Sequence, residues 1–347
     1  MKIEMNNQTL KTVGLIVIGL FLVQGILTTV IGLFSDEAKE TSIDDTYTDD
    51  GKVAPYTYNP NKEDREEGVA DSTVTAKEDE TDPFEELDEL IGLESVKEEV
   101  RALANYVKVQ KQREEQGLKV PKLSYHLVFT GSPGTGKTTV ARIVARIYRD
   151  LGILKRGHLV ETDRSGLIGQ YVGQTAPRVN AICDSALNGV LFIDEAYALT
   201  QSGGQDYGQE AVATLLKRME DDRDKLVVIV AGYTDEMKQF INTNPGLESR
   251  FTRYINFPDY TADELYRIFR MYMKKNQYNI TKEAATYLQQ RFDDAVRNKD
   301  RNFGNARYAR NIFEKAIQCQ ANRLAEQSNA SPEELTELTL ADIKKAF

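Results

Sequence analysis

The run Gly131-Ser132-Pro133-Gly134-Thr135-Gly136-Lys137-Thr138 constrains this chain more than any other stretch of its 347 residues. Its spacing, G-x-x-x-x-G-K-[ST], is that of a loop that wraps phosphates. The flanking residues agree with that reading. Tyr125 to Thr130 is apolar and rich in strand formers, and Val140, Ile143, Val144 and Ile147 then recur at helical spacing. Strand, glycine loop and helix together aim backbone N–H groups and a helix N-terminus at a nucleoside triphosphate. Gly131, Gly134 and Gly136 let the backbone approach without a Cβ in the way. Lys137 supplies a point charge for the β- and γ-phosphates, and the Thr138 hydroxyl can ligate Mg²⁺. The expected nucleotide-binding segment is therefore Gly131, Ser132, Pro133, Gly134, Thr135, Gly136, Lys137, Thr138 and Thr139.

A second signal is Gly189-Val190-Leu191-Phe192-Ile193-Asp194-Glu195, an apolar run closed by two carboxylates. Continuous apolarity reads as a buried central strand, and ligands of open α/β sheets bind at the C-terminal ends of such strands. Asp194 is placed to hold Mg²⁺ and Glu195 to orient and activate the attacking water. The adjacent pair favours ATP hydrolysis. A further strand, Leu226 to Ala231, leads to Tyr233 and Thr234, either of which can stand at the polar sensor position. After Pro258 the pattern turns helical over Asp263–Lys275, Lys282–Val296 and Asn305–Ala325. The fold class expected is an α/β P-loop module, with a parallel sheet flanked by helices and then a small helical lid.

Charge has to be located before it can be interpreted. The net charge is −10, yet Ser35 to Asp82 alone carries 16 acidic and 5 basic residues. The remainder is close to neutral, which gives no support to a nucleic-acid partner. Two cysteines without metal-ligand spacing read as free thiols, and His126 and His158 as structural residues. Val13–Phe34 holds 22 residues without a charge, about 33 Å as a helix and long enough for a bilayer. A single-pass membrane anchor is expected there, with the ATP-consuming domain facing the cytoplasm. The acidic stretch after it is expected to be a disordered linker. The expected organisation is a short segment 1–12, a transmembrane helix 13–34, a linker 35–82, an α/β domain 83–258 and a helical lid 259–347.

The chain from about Asp82 onward resembles the AAA+ ATPases of the CbxX/CfqX family, which includes the sporulation stage V protein K type and the red-type Rubisco activases. The resemblance rests on GSPGTGKT, YVGQT at Tyr171, FIDEAYAL at Phe192, DYGQEA at Asp206, VVIVAGY at Val227, NPGLESRF at Asn244, FPDYT at Phe257 and GNARYARN at Gly304. It implies a homo-oligomeric ring, a hexamer, that threads or remodels a protein client. It implies that Tyr171, Val172 and Gly173 form a pore loop. Arg250 resembles the arginine that reaches a neighbour's γ-phosphate, with Arg253 as the alternative, and Arg307 resembles the lid arginine that senses bound nucleotide. A nucleic-acid motor on the same core, or a nucleotide-gated membrane scaffold, are the rival readings.

Overall fold

The computed structural model describes residues 81–121, 124–201, 207–325 and 329–347. The organisation follows from where continuous apolar runs can be covered on both faces. Strands β1 (Leu127–Gly131), β3 (Gly189–Ile193) and β4 (Leu226–Gly232) are buried at every position. Strands β2 (Leu159–Thr162) and β5 (Arg253–Phe257) are only partly buried. The order β2-β3-β4-β1-β5 explains this contrast, because β2 and β5 are the edges of the sheet. All four pairings are parallel, with Leu127 opposite Ile229 and Val190 opposite Val227. The phosphate-binding strand β1 therefore lies between β4 and β5, and β3 with its carboxylates is one strand further on.

Alternation along the strands divides the core into two clusters. Phe129, Phe192, Ile229 and Ala231 face helices α1 (Pro83–Glu89), α2 (Glu94–Glu115) and α3 (Lys137–Asp150). Val128, Leu191, Ile193 and Val230 face the opposite way. There they pack with α4 (Arg164–Leu167), α5 (Thr175–Ser185), α6 (Tyr207–Asp221), α7 (Thr234–Asn242) and α8 (Pro245–Arg250). Successive side chains of a strand point to opposite faces, so both sets are required.

Beyond Pro258 the chain is helical: α9 (Ala262–Lys275), α10 (Lys282–Arg297), α11 (Ala306–Leu324), α12 (Pro332–Thr336) and α13 (Leu340–Ala346). Thr261 starts α9 with a reciprocal capping box to Glu264. Phe269, Phe292 and Phe313 form its aromatic core, with Phe269 and Phe313 edge-on at 5.5 Å. Two short parallel strands, β6 (Asn279–Ile280) and β7 (Glu337–Leu338), tie the C-terminal part back to the α9–α10 connection.

One expectation has to be corrected. Among the described residues no helix is long and apolar enough to cross a membrane. The longest, α2, buries Val96, Val100, Leu103, Ala104 and Val107 along one stripe and carries charges over the rest. That is the pattern of a helix packed on a sheet. The expected span Val13–Phe34 and the linker after it lie outside the described residues. The fold is thus an α/β module with a parallel sheet and a helical lid. The transmembrane helix and the single-pass, cytoplasm-facing location are withdrawn.

Candidate nucleotide site

Strand β1 ends at Gly131 and α3 begins at Lys137, with Gly136 as its N-cap. Gly131 has a φ of 144°, and a Cβ there would sit 2.3 Å from the Phe257 carbonyl oxygen on β5. Gly134 has a φ of 70°, and a Cβ there would sit 2.1 Å from the Gly304 carbonyl oxygen. Side chains at either position would force the loop off the sheet or away from the lid. Lys137 Nζ donates to the carbonyls of Gly131 at 2.9 Å and Ser132 at 2.8 Å. Burial pushes its ammonium below the ordinary lysine value, and the nearby charge of Asp194 opposes that shift. A desolvated cation satisfied by carbonyls of its own loop is well suited to an incoming polyanion.

Asp194 follows β3, and its N–H donates to Thr162 on β2 at 2.9 Å. Its Oδ1 accepts from the Glu195 N–H at 3.0 Å. Glu195 takes φ 47° and ψ 42°, a left-handed conformation uncommon for a residue with a side chain. Such outliers collect at functional sites, where surrounding structure holds them in place. Both residues are exposed to a cleft of about 420 Å³. Gly131, Lys137, Thr138 and Thr139 line its floor, and Arg307 enters from the first turn of α11. A larger cavity of about 850 Å³, beside Val172, Leu199 and Tyr207, contains neither the loop nor the carboxylate pair.

Not every residue of the expected segment faces the cleft. Thr135 is fully buried, and its hydroxyl donates to the Ser132 carbonyl at 2.9 Å inside the loop. Ser132 faces a neighbouring cavity of about 350 Å³ shared with Thr234 and Asp259. Of the two sensor candidates, Tyr233 lines the cleft and Thr234 does not. Tyr272 and Arg310 from the lid also line it, and sequence reasoning passed over both. The signal for Arg310 was available, one helical turn after Arg307, whereas nothing local marked Tyr272. Tyr197 was also missed. It packs over Gly232 and lies 6.1 Å from Tyr233, ring to ring, and burial with the Glu195 charge pushes its hydroxyl up to about 12.

Among the described residues no group of three or more His, Cys, Asp or Glu side chains could hold a metal ion. For a metal the site offers the Thr138 hydroxyl at the start of α3 and the Asp194 carboxylate at the end of β3. That sparse set fits Mg²⁺, which keeps several waters and takes phosphate oxygens as ligands. Arg250 and Arg253 lie outside this cleft. Arg250 ends α8 and reaches Glu220 at 3.3 Å, while Arg253 stacks over the Tyr106 ring at 4.8 Å. Tyr171 and Val172 also lie apart from it, 68% and 82% exposed, and Gly173 has φ 80° with open space around it.

Comparison with known proteins agrees with this geometry. A model of the ATPase family associated with various cellular activities (AAA) matches residues 127–259, and an AAA lid domain matches 261–347. The chain is 45% identical over 276 residues to the ESX-3 secretion system protein EccA3 of Mycolicibacterium smegmatis, covering 75% of this chain and 45% of that one. It therefore spans less than half the length of that relative. It is 46% identical over 241 residues to the chloroplastic ribulose bisphosphate carboxylase/oxygenase activase of Cyanidioschyzon merolae, covering 68% of this chain and 80% of that one. The crystal structure of the FIGL-1 AAA domain shares the fold, with a TM-score of 0.54 at 18% identity over 75% of this chain and 81% of that one. A parallel sheet in this order, a phosphate loop beside a carboxylate pair and relatives 41–46% identical over about two thirds to three quarters of the chain leave one conclusion: the chain belongs to the AAA+ ATPases of the CbxX/CfqX type, a nucleotide-binding family of ATP hydrolases.

Proposed function

We propose that this ATPase acts as a ring of copies, six by family resemblance, that spends ATP to pull on or remodel a protein client. In this reading residues 83–258 form the motor domain and 259–347 the lid. The observation that carries it is the exposure of Tyr171 and Val172 on a loop whose glycine has open space around it. An exposed aromatic beside a β-branched residue offers apolar contact to any polypeptide, whatever its sequence. The names of the relatives, a secretion-system protein and an activator of ribulose bisphosphate carboxylase/oxygenase, support a protein client.

The chemistry assigned to the cleft follows from its parts. Lys137 exchanges its loop carbonyls for the β- and γ-phosphates, and the N–H groups of Gly134 to Thr139 face the same charge. Thr138 and Asp194 hold Mg²⁺, which neutralises charge on the phosphates when bound. Glu195 accepts a proton from the attacking water and keeps it in line with the γ-phosphate. Arg250 acts on a neighbour's nucleotide, since it stands outside its own cleft, and Arg307 reads the phosphates from the lid.

A trap tests the reading. Glu195→Gln should bind ATP without turning it over, form a ring in sedimentation, and retain client proteins that ADP releases. The same variant carrying Tyr171→Ala should form the ring and retain nothing. Retention of nucleic acid, or equal protein retention with and without Tyr171, would sink the pore-loop reading.

A further inference from the structure

We propose that Asn305 is a positioning residue that latches the lid to the outer side of the phosphate loop, so that movement of the loop is passed directly to the lid. The inference rests on the ATPase reading of the site and deepens it. The carbonyls of Pro133, Gly134 and Thr135 meet the lid side, whereas those of Gly131 and Ser132 are held by Lys137. Four successive loop residues are held from that outer side. Ser132 contacts the Asp259 carboxylate through its side chain, Pro133 O accepts from Asn305 Nδ2 at 3.3 Å, Gly134 O accepts from the Ala306 N–H at 3.1 Å, and Thr135 O accepts from the Tyr260 hydroxyl at 3.5 Å. All the partners belong to two short segments, the connection at Asp259–Tyr260 and the entry to α11.

Asn305 joins those two segments. It is fully buried, and its Oδ1 accepts from the Tyr260 N–H at 3.0 Å. Its two amide hydrogens are shared among Asp259 Oδ1 at 3.0 Å, Phe303 O at 3.1 Å and Pro133 O at 3.3 Å. Its backbone sits at φ 47° and ψ −122°, a region that favours glycine. A side chain kept at such a position against its backbone preference indicates that the carboxamide is needed. Three acceptors for two hydrogens also give the amide a choice. It can trade Pro133 O against Phe303 O, which is the discrete alternative a coupling element requires.

The sequence of contacts starts at the nucleotide. Lys137 holds the carbonyls of Gly131 and Ser132, and phosphates that draw Lys137 away leave the Ser132–Pro133 peptide tied only through the Thr135 hydroxyl. Asn305 then follows Pro133, and α11 with Arg307 follows Asn305. The lid is thus moved from behind the loop as well as through the nucleotide itself.

Asn305→Gly isolates the carboxamide, because glycine accepts the same backbone angles without strain. In the full-length protein, kcat for ATP should fall about tenfold or more, while KM for ATP shifts less than about threefold and the protein, although its thermal midpoint drops by several degrees, stays folded at the assay temperature. Tyr260→Phe, which removes one hydroxyl of the same latch, should lower kcat about two- to fivefold with KM unchanged. Hydrogen exchange across 304–309 should differ between ATP and ADP in the wild type and not in Asn305→Gly. Unaltered kcat in Asn305→Gly, or a loss of kcat matched by loss of folded protein while Tyr260→Phe behaves as wild type, overturns the latch. A wild-type protein without ATP turnover would overturn the ATPase reading instead.

Discussion

On the sheet side of the cleft, Lys137, Asp194 and Tyr233 follow three adjacent strands that are buried and paired in register. On the lid side, Tyr272, Arg307 and Arg310 stand on two helices fixed by edge-on and stacked aromatic contacts and by a few hydrogen bonds to the phosphate loop. A sheet of parallel strands cannot shift one end without breaking a ladder, whereas a helix pair can rotate on a short connection. The wall that must keep its geometry through the chemical step is therefore the one made of strands. In the function proposed, the wall that opens and closes around the nucleotide is the one made of helices.

If Arg250 acts on a neighbour's nucleotide as proposed, its removal should produce the largest effect. Arg250→Ala should lower ATP turnover about 10³-fold or more while nucleotide binding persists, as expected for an arginine acting in trans. Mixing Arg250→Ala with Glu195→Gln subunits supplies the check. Each subunit pair that brings an intact Arg250 to an intact Glu195 should recover turnover, and no recovery would place Arg250 in its own fold and shift the role to Arg253. The Glu220 contact of Arg250, at 3.3 Å and largely exposed on the carboxylate side, is too weak a tie to hold it from such a role.

The lid's mobility can be challenged through its core. Phe269 is fully buried and meets Phe292 and Phe313, so Phe269→Ala should cost about 3–5 kcal/mol. If the two halves differ as described, hydrogen exchange will show lost protection across α9, α10 and α11 with β1, β3 and β4 still protected. Uniform loss across both halves would show that they open as one unit, and the contrast between the walls would fail.

The same contrast separates what could be read from the sequence. The phosphate loop, β3 with Asp194 and Glu195, and β4 were legible because each is a local pattern: an apolar run of strand length closed by chemistry-bearing residues. The edge strand Leu159–Thr162 was legible only as a strand bordering His158, without bounds, since half-burial leaves it without a continuous apolar run. Helices at 175–185, 207–221 and 234–242 were missed, although their buried residues recur at helical spacing. The partners of the loop were illegible for another reason. Asn305 meets Pro133 across 172 positions, and no local pattern encodes a contact closed by the arrangement of two layers.

Acid should distinguish the halves most finely. His126 precedes β1, and its Nδ1 accepts from the Val228 N–H at 3.0 Å, so the imidazole joins the β4 ladder as a neutral acceptor. Burial lowers its pKa to about 4, with Arg250 adding to the shift. An unfolded histidine titrates near 6.5. Between those values the unfolded chain binds a proton that the folded sheet refuses, so stability is full above about pH 6.5 and falls toward pH 4, by about 3 kcal/mol in all. The lid behaves differently. Burial alone would raise the Asp342 carboxyl, but the Arg323 guanidinium, at 2.9 Å, and the N–H and hydroxyl of Thr339 outweigh it and hold it below the ordinary aspartate value. That stabilisation is present above about pH 4 and is lost only as pH falls through the lowered value. Urea unfolding from pH 7 to pH 4 should therefore lose stability through His126 and not through Asp342. His126→Gln should flatten that slope and Asp342→Asn should leave it in place. An unchanged slope in His126→Gln would mean that the acid-sensitive groups lie elsewhere, and that the strand wall is not the half that low pH reaches first.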